Sequence, residues 1–204
     1  MPPPKQQQQQ EQHHHRPRRP LTARKLDIVY LAFFVIHIPV MLLVDLAPLQ
    51  PAFLRPQISY TLRQFYRDHY RDRYFEAPPA WFTAYMYLEA SYHLPLSLWM
   101  VWNIPKDHIL VPLHLLVFAV ETALTTLTCV VDVRAWEGYT APQRNDLYAL
   151  YVPYLVVACF MGSDAFLRVK RQIMSANSNS NSNSNSTTET TNTTTVAVDK
   201  GKRA

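Results

Sequence analysis

Long apolar stretches alternate with charged segments through the middle of this chain. Four stretches contain neither Lys nor Arg: residues 26–54, 74–105, 107–133 and 145–167. Each can hold about 20 apolar residues, the length of a helix that crosses the hydrocarbon core of a bilayer. The pattern predicts four membrane-spanning helices, over about residues 26–47, 79–104, 108–131 and 147–167.

The two ends of the chain are polar and of low complexity. A Gln run occupies residues 6–10, and an Asn-Ser alternation followed by a Thr-rich run fills the C-terminal segment. Such segments cannot bury enough apolar surface to fold. We therefore predict disordered tails over 1–22 and 174–204, with one membrane domain over 23–173.

Prolines interrupt the predicted spans at Pro39 and Pro95. A proline removes a backbone N–H and crowds the preceding turn, so each predicts a kink. The predicted fold class is all-α: a four-transmembrane-helix bundle with kinked helices and disordered polar tails. The connection over 48–80 is too long to lack structure of its own. Its interleaved aromatic and charged residues predict short amphipathic helices at the membrane surface.

Composition excludes several function classes. With three glycines in 204 residues, the chain has no room for a phosphate-binding loop or a dinucleotide fingerprint. Neither the two cysteines nor the run His13–His15 has the spacing of a metal site. The net charge of +5 reflects a basic cluster before the first span, which is typical of a lipid-facing segment. We predict no cofactor, no metal and no nucleic-acid partner.

Polar side chains inside the predicted spans mark the candidate site. They are four acids, Asp45, Glu89, Glu121 and Asp164, and three histidines, His37, His93 and His114. Acids without basic partners in a membrane are protonated, share a proton, are hydrated or await a cation. Two readings stay open at this stage. Glu89 and His93 share a helix face and could form an acid–base couple, or two of the acids could lie close together and share one proton. Asp45 could equally sit at a hydrated helix end.

Several motifs in order resemble a known family. They are His37-Ile38-Pro39 with Asp45-Leu46, then Glu76 and Pro78-Pro79-Ala80-Trp81-Phe82 with Glu89, and finally Tyr151-Val152-Pro153-Tyr154. Together they are similar to the sigma-2 receptor family (transmembrane protein 97), which carries an EXPERA domain, and the chain resembles a fungal-type member. The likeness covers about residues 24–172.

The resemblance implies a ligand pocket and the residues that form it. Asp45 would contact the ligand amine or hydroxyl, and Glu89 would share a proton with it. Asp72 would hold the loop, with His37 in support, although the sequence equally allows Asp72 to pair with a neighbouring arginine. The pocket would be lined by Phe65, Tyr66, Phe75, Met86, His93, Thr126, Leu150, Tyr151 and Tyr154. His93 stands where animal members carry Gln, and Phe65 replaces a Trp.

The resemblance also implies a function. We expect a non-enzymatic protein of the endoplasmic reticulum membrane, and also of the nuclear envelope, that binds sterols or lipophilic amines and affects sterol or lipid traffic. Both termini would be cytosolic, the protein would be a homodimer, and sterol-transport or protein-targeting factors would be its partners. One alternative is a reticulum-surface factor that assists the targeting of mitochondrial precursor proteins. The other is a sterol double-bond isomerase, because emopamil-binding isomerases share the EXPERA fold.

Overall fold

The computed structural model describes residues 19–200, with side chains as far as Ser178. Within this range the chain is helical and has no β-strand. The six α-helices are α1 (Lys25–Val40), α2 (Gln57–Phe65), α3 (Ala80–Leu88), α4 (Leu94–Asn103), α5 (Val111–Ala135) and α6 (Ala141–Lys200). The predicted all-α class is thus correct for the described residues. The run His13–His15 lies outside this range.

Three helical segments are long and apolar enough to cross a membrane. They are Lys25–Asp45, Val111–Ala135 and Ala141–Ser178, and they match the predicted first, third and fourth spans. The protein is therefore a helical membrane protein. A bundle of four crossing helices with kinks stays a prediction.

The predicted second span is divided by a wider turn. Helix α3 continues into a π-helical turn, Glu89–His93, and then into α4. Pro95 follows this turn, and its ring crowds the carbonyl of Ser91, four residues earlier. A π-helical turn relaxes such crowding because it spreads the backbone groups apart. Pro39 has a similar neighbour, since the π-helical turn Met41–Asp45 completes the first span.

Two predicted tail boundaries differ from the structure. At the N-terminal side residues 19–22 are placed, because the backbone N–H of Arg19 donates to Asp107 at 3.2 Å. At the C-terminal side α6 passes the predicted end of the domain at residue 173 and reaches Lys200.

Two apolar cores divide the bundle along its length. The larger core lies towards the tail side and includes Phe34 of α1, Met100 of α4, Phe118 of α5 and Met161 of α6. The smaller core lies towards the long connection and consists of Tyr74, Cys129, Val133, Trp136 and Leu147. Helices α5 and α6 approach closely at Gly162, where an added Cβ would meet the Cβ of Ala119 at 3.4 Å.

The long connection forms the short helices that its pattern predicts. Besides α2 it contains a π-helical turn, Tyr66–Tyr70, and three 3₁₀ turns, Ala47–Leu49, Ala52–Leu54 and Arg73–Phe75. Arg63 fixes α2 to the first span by donating to the carbonyl of Val44 at 3.0 Å. The same guanidinium donates to the carbonyl of Phe75 at 3.4 Å. The connection therefore caps one end of the bundle.

A buried ion cluster ties the other end together. Asp27, at the start of α1, accepts from both Arg24 and Arg168. Arg168 also pairs with Asp164 at 2.8 Å, and Tyr30 donates to Asp164 at 2.9 Å. Asp164, which the sequence left without a basic partner, thus has one on its own helix. The cluster joins α1 to α6 across 141 residues of sequence.

Candidate functional site

A cavity of about 210 Å³ lies between the two apolar cores. Each long helix passes from the larger core to the cavity wall; on α5, for example, Phe118 is followed by Thr122 and Thr126. The wall consists of His37, Val40, Val44, Asp45, Tyr66, Phe75, Phe82, Tyr85, Met86, Glu89, His93, Thr122, Thr125, Thr126, Cys129, Leu150, Tyr151 and Tyr154. It therefore combines acids, hydroxyls and aromatic rings inside an apolar bundle.

Two of the π-helical turns each supply an acid to this wall. Asp45 is the last residue of one turn, and Glu89 is the first residue of the other. Wider turns of this kind occur frequently at functional sites, because they redirect a side chain without ending the helix. The described residues place no Lys or Arg nitrogen in ion-pair contact with either carboxyl group. Both carboxyl groups line the same cavity.

His93 has an acid partner other than the one that its sequence neighbourhood indicates. Its Nε2 lies 3.0 Å from Oε2 of Glu121 on α5, although the two groups are not aligned for a hydrogen bond. The couple of Glu89 with His93, one of the two readings of the sequence, is therefore wrong as a contact pair. Glu121 gains a role as the neighbour of a buried imidazole.

His37 is held by aromatic neighbours. Its ring stacks on Phe33 with the centroids 5.2 Å apart, and its Nδ1 lies 3.3 Å from the hydroxyl of Tyr154. His37 and His93 approach to 6.4 Å between ring centroids. Two imidazoles thus form the end of the cavity next to the larger core.

The structure brings together nearly all of the predicted ligand-binding residues. Those that line the cavity are Asp45, Glu89, Tyr66, Phe75, Met86, His93, Thr126, Leu150, Tyr151 and Tyr154, with His37 beside them. Phe65 is the exception, since its ring is half exposed and stacks on His69 with the centroids 5.1 Å apart. It lies on the outer face of α2, so the prediction that it lines the pocket is corrected.

Phe82, Thr122 and Cys129 also line the cavity. They were not predicted, although helical spacing could have identified them. Phe82, Met86, Glu89 and His93 follow one another at intervals of four, three and four residues, which is one face of a helix. On α5 the same rule extends Thr126 to Thr122 and Cys129. The hydroxyl of Thr125 donates to the carbonyls of Glu121 and Thr122, so this threonine bonds back to its own helix.

Asp72 supports the cavity from behind. It is fully buried and accepts hydrogen bonds from the backbone N–H of Tyr74 at 2.9 Å and from the hydroxyl of Tyr151. Tyr151 lines the cavity, whereas Asp72 does not. The alternative of a pair with Arg71 or Arg73 is thus excluded, and Asp72 joins the cap to α6.

The buried carboxyl group of Asp72 should make the stability of the protein depend on pH. Burial raises the pKa of Asp72 above its ordinary value, against the opposing effects of the Tyr151 and Tyr74 hydrogen bonds and of the Arg63 charge. Since the folded protein holds the proton more tightly than the unfolded chain, this group's contribution to stability is greatest at low pH. It declines as the pH rises from about 3.9 through the raised pKa of the folded state.

We expect Asp72→Asn to lose that part of the pH dependence, measured as the midpoint of thermal unfolding in detergent across this pH range. Tyr151→Phe is the matched variant, because it keeps the carboxyl group and removes a hydrogen bond to its charged form. Its pH dependence should persist and extend to higher pH. An identical pH profile for wild type and Asp72→Asn would contradict the assignment.

Comparison with known proteins agrees with this architecture. The family model described as EXPERA (EXPanded EBP superfamily) matches residues 58–165, more than half of the chain. "Sigma intracellular receptor 2" of Xenopus tropicalis is 29% identical over 146 residues, which are 66% of this chain and 84% of the relative. The human protein of the same name is 25% identical over 151 residues, 68% of this chain and 85% of the relative.

A fungal relative covers more of the chain. "Efficient mitochondria targeting-associated protein 19" of Schizosaccharomyces pombe is 27% identical over 164 residues, which are 78% of this chain and 85% of the relative. These matches confirm the resemblance that the motifs indicated. The chain is a membrane protein that belongs to the EXPERA family, in the group that includes the sigma-2 receptors.

Proposed function

We propose that this protein binds a sterol or a lipophilic amine in the cavity between its two apolar cores, without catalysing a reaction, and thereby affects sterol or lipid traffic. The observation that carries this proposal is the pair of carboxyl groups, Asp45 and Glu89, on an otherwise apolar and aromatic wall. Ligand pockets typically combine such walls with a few polar groups that fix orientation. The names of the sigma-2 receptor relatives support the same class of function.

The chemistry of the wall selects a ligand with one polar end. A protonated amine placed between Asp45 and Glu89 would satisfy the ionised member of the pair, while the shared proton neutralises the other. The aromatic faces of Tyr151 and Tyr154 add cation–π attraction. A sterol hydroxyl could instead donate to one carboxylate. A phosphate would be repelled by these acids. A sugar would leave many of its own hydroxyl groups unpaired on the apolar wall.

The size of the cavity limits how the ligand lies. Its volume of about 210 Å³ is below the roughly 300–1,000 Å³ of sites that enclose a drug-sized ligand. The enclosed space therefore suits the polar end and the adjoining ring, with the remainder of the ligand at the mouth. Val40, which lines the cavity and is also 42% exposed, belongs to that mouth.

Purification in mild detergent tests the proposal directly. Lipid extracted from the purified protein and identified by mass spectrometry should contain a sterol or an amine lipid enriched over the bulk membrane. The same protein carrying Met86→Trp, which fills the cavity from a wall position, should retain much less. Equal lipid profiles for both proteins would contradict ligand binding in this cavity.

The proposal includes four crossings of the endoplasmic reticulum membrane, with the continuous helical path from Ala80 to Asn103 as the second. An even number of spans puts both termini on one side. Lys and Arg are slightly more frequent next to the spans on that side, which favours the cytosol. A homodimer is part of the proposal.

Glycosylation reports this topology. Asn185-Ser186-Thr187 and Asn192-Thr193-Thr194 are acceptor sequences that are modified only in the lumen. We expect no change of electrophoretic mobility when the protein from a eukaryotic membrane is treated with an endoglycosidase. A shift that disappears when both asparagines are replaced by Gln would place the C-terminus in the lumen.

One relative favours a second function. The S. pombe protein is named for efficient mitochondria targeting, and its match extends over 78% of this chain. The corresponding activity here would be assistance to mitochondrial precursor proteins at the reticulum surface. Deleting the gene and measuring precursor import would detect it. Rescue by Asp45→Asn as good as by wild type would separate this function from ligand binding.

The sterol isomerase remains the alternative from another class. It needs an acid and a base at the sterol, and His93 with Glu121 is a close acid–imidazole pair beside the cavity. Incubating purified protein with a Δ8-sterol decides between the two. Turnover that is lost in both Glu89→Gln and Glu121→Gln would favour the isomerase.

A further inference from the structure

Four large apolar side chains are exposed on the segment that caps the bundle. Phe53 is 85% exposed, Leu54 62%, Ile58 54% and Phe65 52%. We call these four residues the apolar stripe. So many large apolar groups on one short segment indicate a surface that meets something other than water.

Helix geometry places the two stripe residues of α2 on its outer side, and Phe53 and Leu54 lie in the 3₁₀ turn that precedes it. Ile58 and Phe65 are seven residues apart and share a face. Arg63 lies about 140° around the helix from Ile58, and with the fully buried Ser59 it faces the bundle. The inner face of α2 is therefore occupied. On its outer face Ile58 and Phe65 stay about half exposed, although the Phe65 ring also stacks on His69.

The depth of α2 is set by its attachment to the first span. The guanidinium of Arg63 donates to the carbonyl of Val44 at 3.0 Å, and Val44 belongs to the last turn of the membrane-spanning segment Lys25–Asp45. A helix fixed at the end of a span lies at the boundary between acyl chains and headgroups. An outward apolar face at that depth meets lipid.

The charges around the stripe fit the same boundary. Arg67 and Arg71 follow α2 directly, are exposed, and make no ion pair within the described part of the chain. Asp68 is the one acid between Gln57 and Arg71. An apolar face with neighbouring guanidinium groups is typical of helices that lie in the interface of a membrane.

We infer that the apolar stripe is a lipid-binding surface that lies in the headgroup–acyl boundary of the bilayer which the spans cross, with Arg67 and Arg71 at the level of the lipid phosphates. This surface goes beyond the proposed ligand site and does not depend on it. The same segment supplies Tyr66 and Phe75, whose rings stack 5.0 Å apart in the cavity wall. Contact with lipid outside would therefore hold that part of the wall in place.

Spin labels measure this placement. In a background of Cys129→Ala and Cys159→Ala, a label is attached at Ile58→Cys, Phe65→Cys or Gln64→Cys, and the protein is reconstituted in vesicles of phosphatidylcholine with some phosphatidylserine. Gln64 is the matched control, since it is exposed on the same helix about 120° from Ile58. Labels at 58 and 65 should collide more with oxygen than with a water-soluble nickel chelate, and the label at 64 should show the reverse.

Three results would overturn the inference. One is aqueous accessibility at 58 and 65 equal to that at 64. Another is strong label–label coupling confined to the stripe, which would make it a contact between two copies of the chain. The third comes from the wild-type protein with a photoactivatable phosphatidylserine in the same vesicles, which should label residues 52–66. Labelling of other segments without residues 52–66 would show that the stripe does not contact lipid.

Discussion

Asp45→Asn is expected to weaken the binding of a cationic amphiphile by roughly thirty-fold or more. Removing one partner of a buried charge pair costs about 2–5 kcal/mol, and each 1.4 kcal/mol is about a factor of ten in affinity. Asn keeps the size of the side chain and an acceptor oxygen, so the loss measures the charge rather than the packing. Equilibrium competition binding with the purified protein gives the ratio of dissociation constants.

Two controls make the result specific. A neutral sterol, which needs only an acceptor, should bind Asp45→Asn nearly as well as wild type. Asp146→Asn removes an exposed acid at the start of α6 that does not line the cavity, and it should bind both ligands normally. Undiminished amine binding by folded Asp45→Asn would remove the central role that we propose for this residue.

Asp27→Asn is expected to cause the largest loss of stability, about 3–5 kcal/mol in the free energy of unfolding. Its carboxylate is nearly inaccessible and serves both Arg24 and Arg168. The substitution leaves two guanidinium groups without this counter-charge at the contact between α1 and α6. Unfolding by titration with a denaturing detergent in mixed micelles measures the change.

A peripheral pair provides the comparison. Asp107 contacts Arg19 at 3.5 Å and Arg24 at 3.7 Å, and its greater exposure to solvent should limit the effect of Asp107→Asn to about 1 kcal/mol. Equal effects of Asp27→Asn and Asp107→Asn would contradict a buried cluster that joins the helices.

The candidate site could largely be predicted from the sequence, because its polar residues are costly in free energy inside a membrane. Asp45, Glu89 and His93 are polar groups in apolar helices, and such groups are rare enough in membranes to stand out. The motifs around them then supplied most of the aromatic wall. Phe65 was assigned wrongly because a residue's place in a motif does not give the direction of its side chain, which here depends on how α2 packs.

The contact partners of these polar groups could not be predicted from the sequence. His93 and Glu121 are 28 positions apart in sequence and meet only because α5 packs beside the π-helical turn. Asp27 and Arg168 are separated by 141 positions, and Asp27 did not attract attention because it lies at the edge of an apolar stretch. Whether two such residues meet depends on how each helix is rotated about its axis. Successive residues are about 100° apart around the helix, so a rotation of that size brings a different side chain to face the partner.

The sequence by itself determined the class of this protein: its apolar stretches are long enough for membrane helices, Pro39 and Pro95 predict kinks in two of them, and its motifs identify the family. Only the tertiary structure decided that Asp45 and Glu89 face one cavity between two cores, that His93 turns to Glu121, and that Phe65 faces outward. The physical reason is that span length and residue cost are local properties of a chain, whereas the neighbour of each side chain is set by the rotation and contact of helices far apart in sequence.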